Sequence, residues 1–276
     1  MTYEHSVSET YLHGSLLSAI QDALGKLGKT TESVTIEDLG PVDEFHIGGR
    51  IATKHFLDQL DFSKQDHILD VGCGLGGASR FTAGEYGSHV TGIDLTQEYV
   101  ETGIALNDWV KMSEQVTLQQ GSALSMPFEN ETFDGGYMLH VGMNIEDKAQ
   151  LFAEIHRVLK SGVTFGVYDI MQQNEGSLTY PVPWAAEEIT SKLSTSDQYK
   201  QALQAAGFEI VGENNRRDFA LDFFKQLRAK TEANGGPPPL GLHTLMQEST
   251  PIKINNMINS ISAGYVAPVE IVAQKK

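Results

Sequence analysis

His67-Ile68-Leu69-Asp70-Val71-Gly72-Cys73-Gly74-Leu75-Gly76-Gly77 is a short apolar run that carries a carboxylate and then breaks into a glycine-rich turn. A second apolar run, His89-Val90-Thr91-Gly92-Ile93-Asp94-Leu95, brings another carboxylate, Asp94, near its end. Strand, glycine turn, helix, strand, acid is the plan of a nucleotide-binding β-α-β unit. The glycines let the backbone approach the ligand, and the distant carboxylate accepts hydrogen bonds from ribose hydroxyls. The chain is therefore expected to bind a nucleoside-containing cofactor.

The glycine spacing leaves two cofactors open. Gly72, Gly74 and Gly77 satisfy the dinucleotide pattern, and Gly72, Gly74 and Gly76 satisfy the tighter G-x-G-x-G. Asp70 helps to separate them. It puts a negative charge where a dinucleotide would bring its pyrophosphate, and two anions in a confined site repel. A cofactor with a cationic ammonium and sulfonium would be attracted there. That favours S-adenosylmethionine (SAM) over NAD.

Composition sets the outer limits. A chain of 276 residues, 40% hydrophobic, suits one large α/β domain with additions. The net charge of −16 gives a surface that repels nucleic acid and anionic lipid. The single cysteine, Cys73, allows no internal disulfide and suits a reducing, cytoplasmic setting. No apolar run reaches the roughly 18 residues of a membrane span, and the start of the chain lacks a signal-peptide pattern. No His, Cys and carboxylate spacing suggests a metal site.

Leu12, Leu16, Leu17, Ile20, Leu24 and Leu27 recur at helical spacing and predict one leading amphipathic helix. A polar stretch with Gly40-Pro41 follows, then Asp43-Glu44-Phe45-His46-Ile47-Gly48-Gly49-Arg50 and a helix over 49–60. Strands are expected at 67–72, 89–95, 116–120, 133–141 and 163–171, with helices at 76–87, 97–111 and 147–159 between them. Such alternation implies a Rossmann-like, mostly parallel sheet with helices on both faces. A helix at 196–206 leads to a strand at 208–211, and a final strand covers 269–273. Helices at 217–230 and 252–262 mark an insertion between those last two strands.

Asp70-x-Gly72-x-Gly74-x-Gly76, Asp94, and the segment from Gly121-Ser122-Ala123 through Pro127-Phe128 to Phe133-Asp134 resemble motifs of class I SAM-dependent methyltransferases. The small-molecule enzymes of the ubiquinone/menaquinone and sarcosine/dimethylglycine type are echoed by Asp43-Glu44-Phe45-His46, by Asn144-Ile145-Glu146-Asp147-Lys148 and by Arg157-Val158-Leu159-Lys160. The resemblance covers residues 44–215 and the last strand. It implies a seven-stranded sheet with an antiparallel last strand. It also implies one methyltransferase domain, with a helical lid over 1–60, a SAM-binding core over 61–215, the insertion over 216–265 and the final strand over 266–276.

By the same resemblance, Gly72, Cys73 and Gly74 approach the methionine half of SAM, and Asp70 helps to hold its ammonium. Asp94 takes the ribose hydroxyls, Leu95 packs on adenine, and Ser122 and Ala123 face the adenine edge. Leu139 and His140 sit beside the methionine and the transferable methyl. Many relatives carry aspartate where this chain has Ser122, and the turn Ser161-Gly162 lacks their usual Pro-Gly-Gly.

Methyl transfer from a sulfonium needs alignment, exclusion of water and deprotonation of an acidic nucleophile. His140 is the candidate for handling that proton, or else a plain cofactor contact. His46, Tyr168 and Trp184 are candidates to contact the acceptor. The expected activity is methyl transfer to a small molecule. The rivals are a NAD-dependent oxidoreductase and a SAM-binding protein without transferase activity. The acceptor and the oligomeric state are not legible in the sequence.

Overall fold

The structure is a computed structural model that describes residues 3–276. Seven strands form one sheet: β1 (His67–Val71), β2 (His89–Asp94), β3 (Val116–Gln120), β4 (Gly135–Leu139), β5 (Thr164–Gln172), β6 (Phe208–Asn215) and β7 (Val266–Lys275). Their order is β3-β2-β1-β4-β5-β7-β6. The first five are parallel neighbours, and β7 runs antiparallel between β5 and β6. This is the expected Rossmann-like sheet with its antiparallel last strand.

The chain steps outward from β1 through β2 to β3, then crosses back to β4 on the other side of β1. That reversal opens a crevice at the carboxyl ends of β1 and β4, where open α/β sheets bind ligands. The central strands are apolar and buried on both faces, as parallel strands are. One face packs on α7 (Lys148–Val158) and α8 (Ser196–Ala205) through Leu151, Phe152, Ile155 and Leu203. The other packs on α4 (Gly49–Leu57), α5 (Gly77–Tyr86) and α6 (Gln97–Trp109) through Phe56, Phe81 and Val100.

The single leading helix is corrected to two. They are α1 (Tyr3–Tyr11) and α2 (Leu16–Lys26), parted at His13-Gly14, and Leu12 lies exposed in the break. A helix the sequence did not predict, α3 (Ile36–Asp43), forms despite Pro41 because Thr35 and Asp38 close a capping box at its start. Strand β6 runs on to Asn215 through polar, exposed positions, since β7 supplies partners along its whole length. The insertion holds α9 (Arg217–Ala233), a short α10 (Leu242–Met246) and α11 (Thr250–Ser262). It packs Phe224, Met257 and Ile261 on Ile47, Ile170 and Trp184. No helix among the described residues is long and apolar enough to cross a membrane.

Candidate active site

The glycine turn closes the crevice on the β1 side. Gly72 has φ 71°, and a Cβ there would stand 2.3 Å from a methyl of Val141 after β4. Any side chain would therefore push the two strand ends apart. Gly92 of β2 plays the matching role behind the turn, where a Cβ would meet the Cys73 sulfur at 2.7 Å. Cys73 is buried there, and burial pushes its thiol well above the usual range. Small size, and no thiolate chemistry, accounts for it.

Two carboxylates flank the turn. Asp94 accepts the Gly74 N–H at 2.8 Å and the Thr96 N–H at 2.8 Å, so the backbone sets its orientation before any ligand arrives. Burial nevertheless raises its pKa. Asp70 accepts Ser79 Oγ–H at 2.6 Å and Tyr137 Oη–H at 3.2 Å. Burial outweighs both bonds and pushes Asp70 up to about 7. A cation in the crevice would favour its charged form.

The segment Asp43–Arg50 is held against the turn by a buried ion pair. Arg80 of α5 donates to both Asp43 oxygens, at 2.6 and 3.2 Å, and also to Leu75 O and Asn107 Oδ1. At the next residue, the buried Glu44 carboxylate accepts from Arg50 Nε and Thr53 Oγ1. That leaves the Thr53 oxygen to accept His46 Nε2–H at 2.8 Å, with Gly49 O a second acceptor at 3.2 Å. The neutral His46 ring then carries its lone pair on Nδ1. Burial pulls its pKa below the ordinary range, against the pull of Glu44.

His140 follows β4 with φ 56°, a left-handed conformation that a residue with a side chain rarely adopts. The backbone holds it there through His140 N–H to Tyr168 O at 2.7 Å. Its Nε2 is buried and has no hydrogen-bond partner among the described residues. Burial, then the neighbouring His46, pushes its pKa well below the usual range. The imidazole is thus neutral at physiological pH.

Two cavities meet at these histidines. The first, of about 820 Å³, runs over the turn and the ends of β1, β2 and β4. The second, of about 1370 Å³, lies between the N-terminal segments and α9–α11. Tyr11, Phe45, His46, Tyr99 and His140 line both. Helix α1 closes the first cavity. Tyr11 Oη–H donates to Asn144 Oδ1 at 2.7 Å and Tyr3 Oη–H to Asn144 O at 2.8 Å. The break after α1 is pinned by Glu98, whose carboxylate accepts N–H from His13, Gly14 and Leu16 at 2.7, 2.9 and 3.0 Å.

Of the residues singled out in the sequence, Asp70, Gly72, Cys73, Gly74, Asp94 and Leu95 line the first cavity. Ala123, Leu139, His140 and His46 line it too. Trp184 is buried in the wall of the second cavity and donates Nε1–H to Ser191 Oγ at 3.0 Å. Ser122 is not on the first cavity's wall, and its hydroxyl is turned to the Glu4 carboxylate. Tyr168 lines neither cavity. Strand β5 continues to Gln172, so Tyr168 lies mid-strand, fully buried, and donates to Ile47 O at 2.9 Å. Tyr3, Glu4, Tyr11 and Tyr99 carry no local signal in the sequence because long-range packing brings them in, and Asn144 is signalled only as part of the motif Asn144-Ile145-Glu146-Asp147-Lys148. Phe45 was signalled only as a neighbour of His46. Among the described residues, no group of three or more His, Cys, Asp or Glu side chains is placed to hold a metal ion.

These residues fit SAM. The turn leaves room for backbone approach, and Asp94 and Asp70 put two carboxylates on the cavity wall, a donor set that would suit a ribose diol and an ammonium. Comparison with known proteins agrees. A family profile described as a methyltransferase domain matches residues 69–167. An O-methyltransferase of Penicillium expansum is 27% identical over 200 residues, covering 72% of this chain and 72% of that protein. A phosphoethanolamine N-methyltransferase of Triticum aestivum is 30% identical over 187 residues, covering 68% of this chain but only 36% of the plant protein's length. The geranyl diphosphate C-methyltransferase of Streptomyces coelicolor, solved with Mg2+, geranyl diphosphate and S-adenosyl-L-homocysteine, shares the fold. Its TM-score is 0.71 at 18% identity, covering 100% of this chain and 98% of that one. None of these likenesses favours an oxidoreductase. By sequence and by architecture, the chain belongs to the class I S-adenosylmethionine-dependent methyltransferases.

Proposed function

We propose that the chain transfers the SAM methyl group to a bulky, mainly apolar small molecule held in the second cavity. The observation that carries this reading is the shared wall of the two cavities at His46 and His140. A cofactor in one and an acceptor in the other would meet there. SAM supplies an electrophilic methyl on a sulfonium. The protein's part is to align the acceptor, exclude water and receive a proton.

The acceptor class follows from the lining. Phe223, Phe224, Leu245, Met257 and Trp184 contribute apolar surface, and the volume exceeds the roughly 300–1,000 Å³ usual for drug-sized ligands. Of the Lys and Arg side chains, Arg228 and Lys253 line it. Arg228 is paired with Glu232 at 2.9 Å and is largely exposed, and burial lowers the pKa of Lys253. Such a lining favours an uncharged body over a phosphorylated or zwitterionic one.

In this reading His140, neutral and lacking a partner for Nε2, accepts the acceptor's proton as the methyl moves. His46 orients the acceptor from the opposite side, and Trp184 backs its apolar body. Residues 1–60 and 216–265 act as two lids around the core of 61–215 and the final strand of 266–276. The single buried cysteine suits the cytoplasm, and the strong negative charge argues against nucleic-acid partners.

The test is transfer from methyl-labelled SAM to a metabolite extract split into apolar and polar fractions, read by mass spectrometry. Label in the apolar fraction supports the reading. Label confined to polar amines or phosphorylated compounds contradicts the acceptor class. No label, with SAM bound, contradicts transfer itself.

A further inference from the structure

Glu4 lies in the first turn of α1, far in sequence from the glycine turn, yet it lines the first cavity. It accepts the Ser122 hydroxyl proton, and Ser122 Oγ in turn accepts Leu124 N–H at 3.1 Å. The placement of Asp94 says which end of the cofactor this is. With the ribose at Asp94, the base extends away from β1 toward β3, whose Gln120 is paired with Asp94. Leu95, Thr96, Gly121, Ala123 and Leu124 line that end. Adenine carries an exocyclic amino group that donates hydrogen bonds. Ser122 Oγ donates to Glu4 and already accepts Leu124 N–H, whereas the Glu4 carboxylate, with Ser122 on one oxygen, offers a charged acceptor at this end.

We propose that Glu4 accepts the exocyclic amino group of adenine, so that the first helix itself reads the base. The inference rests on the assignment of the first cavity to SAM. It gives α1 a second task besides covering the site. Tyr3 and Tyr11 fix the helix to Asn144, and Glu98 pins the break behind it. A carboxylate delivered by this helix makes recognition of the base and docking of α1 one event.

The test is calorimetric titration of the full chain with S-adenosylhomocysteine and with S-inosylhomocysteine, whose base carries a carbonyl in place of the amino group. The wild-type protein should prefer the adenosyl ligand by about tenfold or more, as expected for one charge-assisted hydrogen bond. Glu4→Ala should weaken the adenosyl ligand and leave the inosyl ligand nearly unchanged, erasing the preference. Glu4→Gln, whose amide can either accept or donate, should bind the two within about threefold. A Glu4→Ala variant that weakens both ligands equally would show that Glu4 only docks α1, and the proposal would fall. An unaltered preference would overturn it as well. Failure of the wild-type protein to bind either ligand would instead remove the cofactor assignment, a result separable from the others.

Discussion

His46 and His140 face each other across the junction of the two cavities, with ring centroids 5.9 Å apart and planes at 74°. They arrive by different routes. His46 is held by Thr53 and, through it, Glu44, whereas His140 is thrust inward by a left-handed turn at the end of β4. Burial keeps both below the ordinary histidine range. The unfolded chain therefore binds these protons more readily than the folded one. Their contribution to stability is complete above about pH 6.5 and is lost as pH falls below it. Thermal midpoints measured in acid should fall less steeply in a His140→Phe variant than in the wild-type protein.

Asp94→Ala should weaken SAM and S-adenosylhomocysteine alike, because both carry the ribose. Loss of charge-assisted hydrogen bonds costs roughly 1.5–3 kcal/mol, or about one to two decades in affinity. Calorimetry on the folded variant decides the matter, and an unchanged affinity would take Asp94 out of the site.

Asp70 titrates at about 7 in the free protein, raised by burial. A bound ammonium favours its charged form. Cofactor binding near pH 7 should then release more protons from the wild-type protein than from Asp70→Asn. Calorimetry in buffers of different ionisation heat measures this directly. Equal release by the two proteins would show that no cation settles beside Asp70.

Glu98 receives three N–H groups from the break between α1 and α2. Glu98→Ala should weaken the docking of α1 by roughly 1.5–3 kcal/mol. Hydrogen exchange over residues 3–16 should quicken by about one to two decades. Exchange in β1 and β4 should not change, and protection of α1 that survives the substitution would disprove the anchor. Removing only the residues before α2 is the informative deletion. The next helices bury Leu16, Ile20, Leu24, Leu39 and Val42, and Asp43 neutralises Arg80.

The sheet and the candidate site around the glycine turn were legible because each depends on a local pattern. Strand β1 and the turn after it form one continuous apolar-then-glycine run, and Asp94 ends the next strand. Helix α3 was hidden by Gly40-Pro41, and α1 by having Val7 as its one buried residue. Strand β6 was cut short because an edge strand tolerates polar residues such as Glu213 and Asn214. Tyr168 lies inside β5 with its hydroxyl bonded to Ile47 O, and this contact across the chain, which no spacing announces, keeps it off the cavity wall. Tyr11 meets Asn144, and Glu4 meets Ser122, through contacts that span the chain, and no spacing announces those.

The central claim, that His140 receives the acceptor's proton, is tested most directly by single-turnover transfer with His140→Ala at saturating SAM and acceptor, set beside its SAM affinity. General-base help predicts a rate lower by about 100- to 10,000-fold with affinity changed far less. The wild-type rate should hold through neutrality and fall only below the ordinary histidine range, as His140 gains a proton, and this acid limb should vanish in the variant. A variant that binds SAM much more weakly yet transfers methyl at the wild-type rate once saturated would contradict the account and leave His140 a cofactor contact alone.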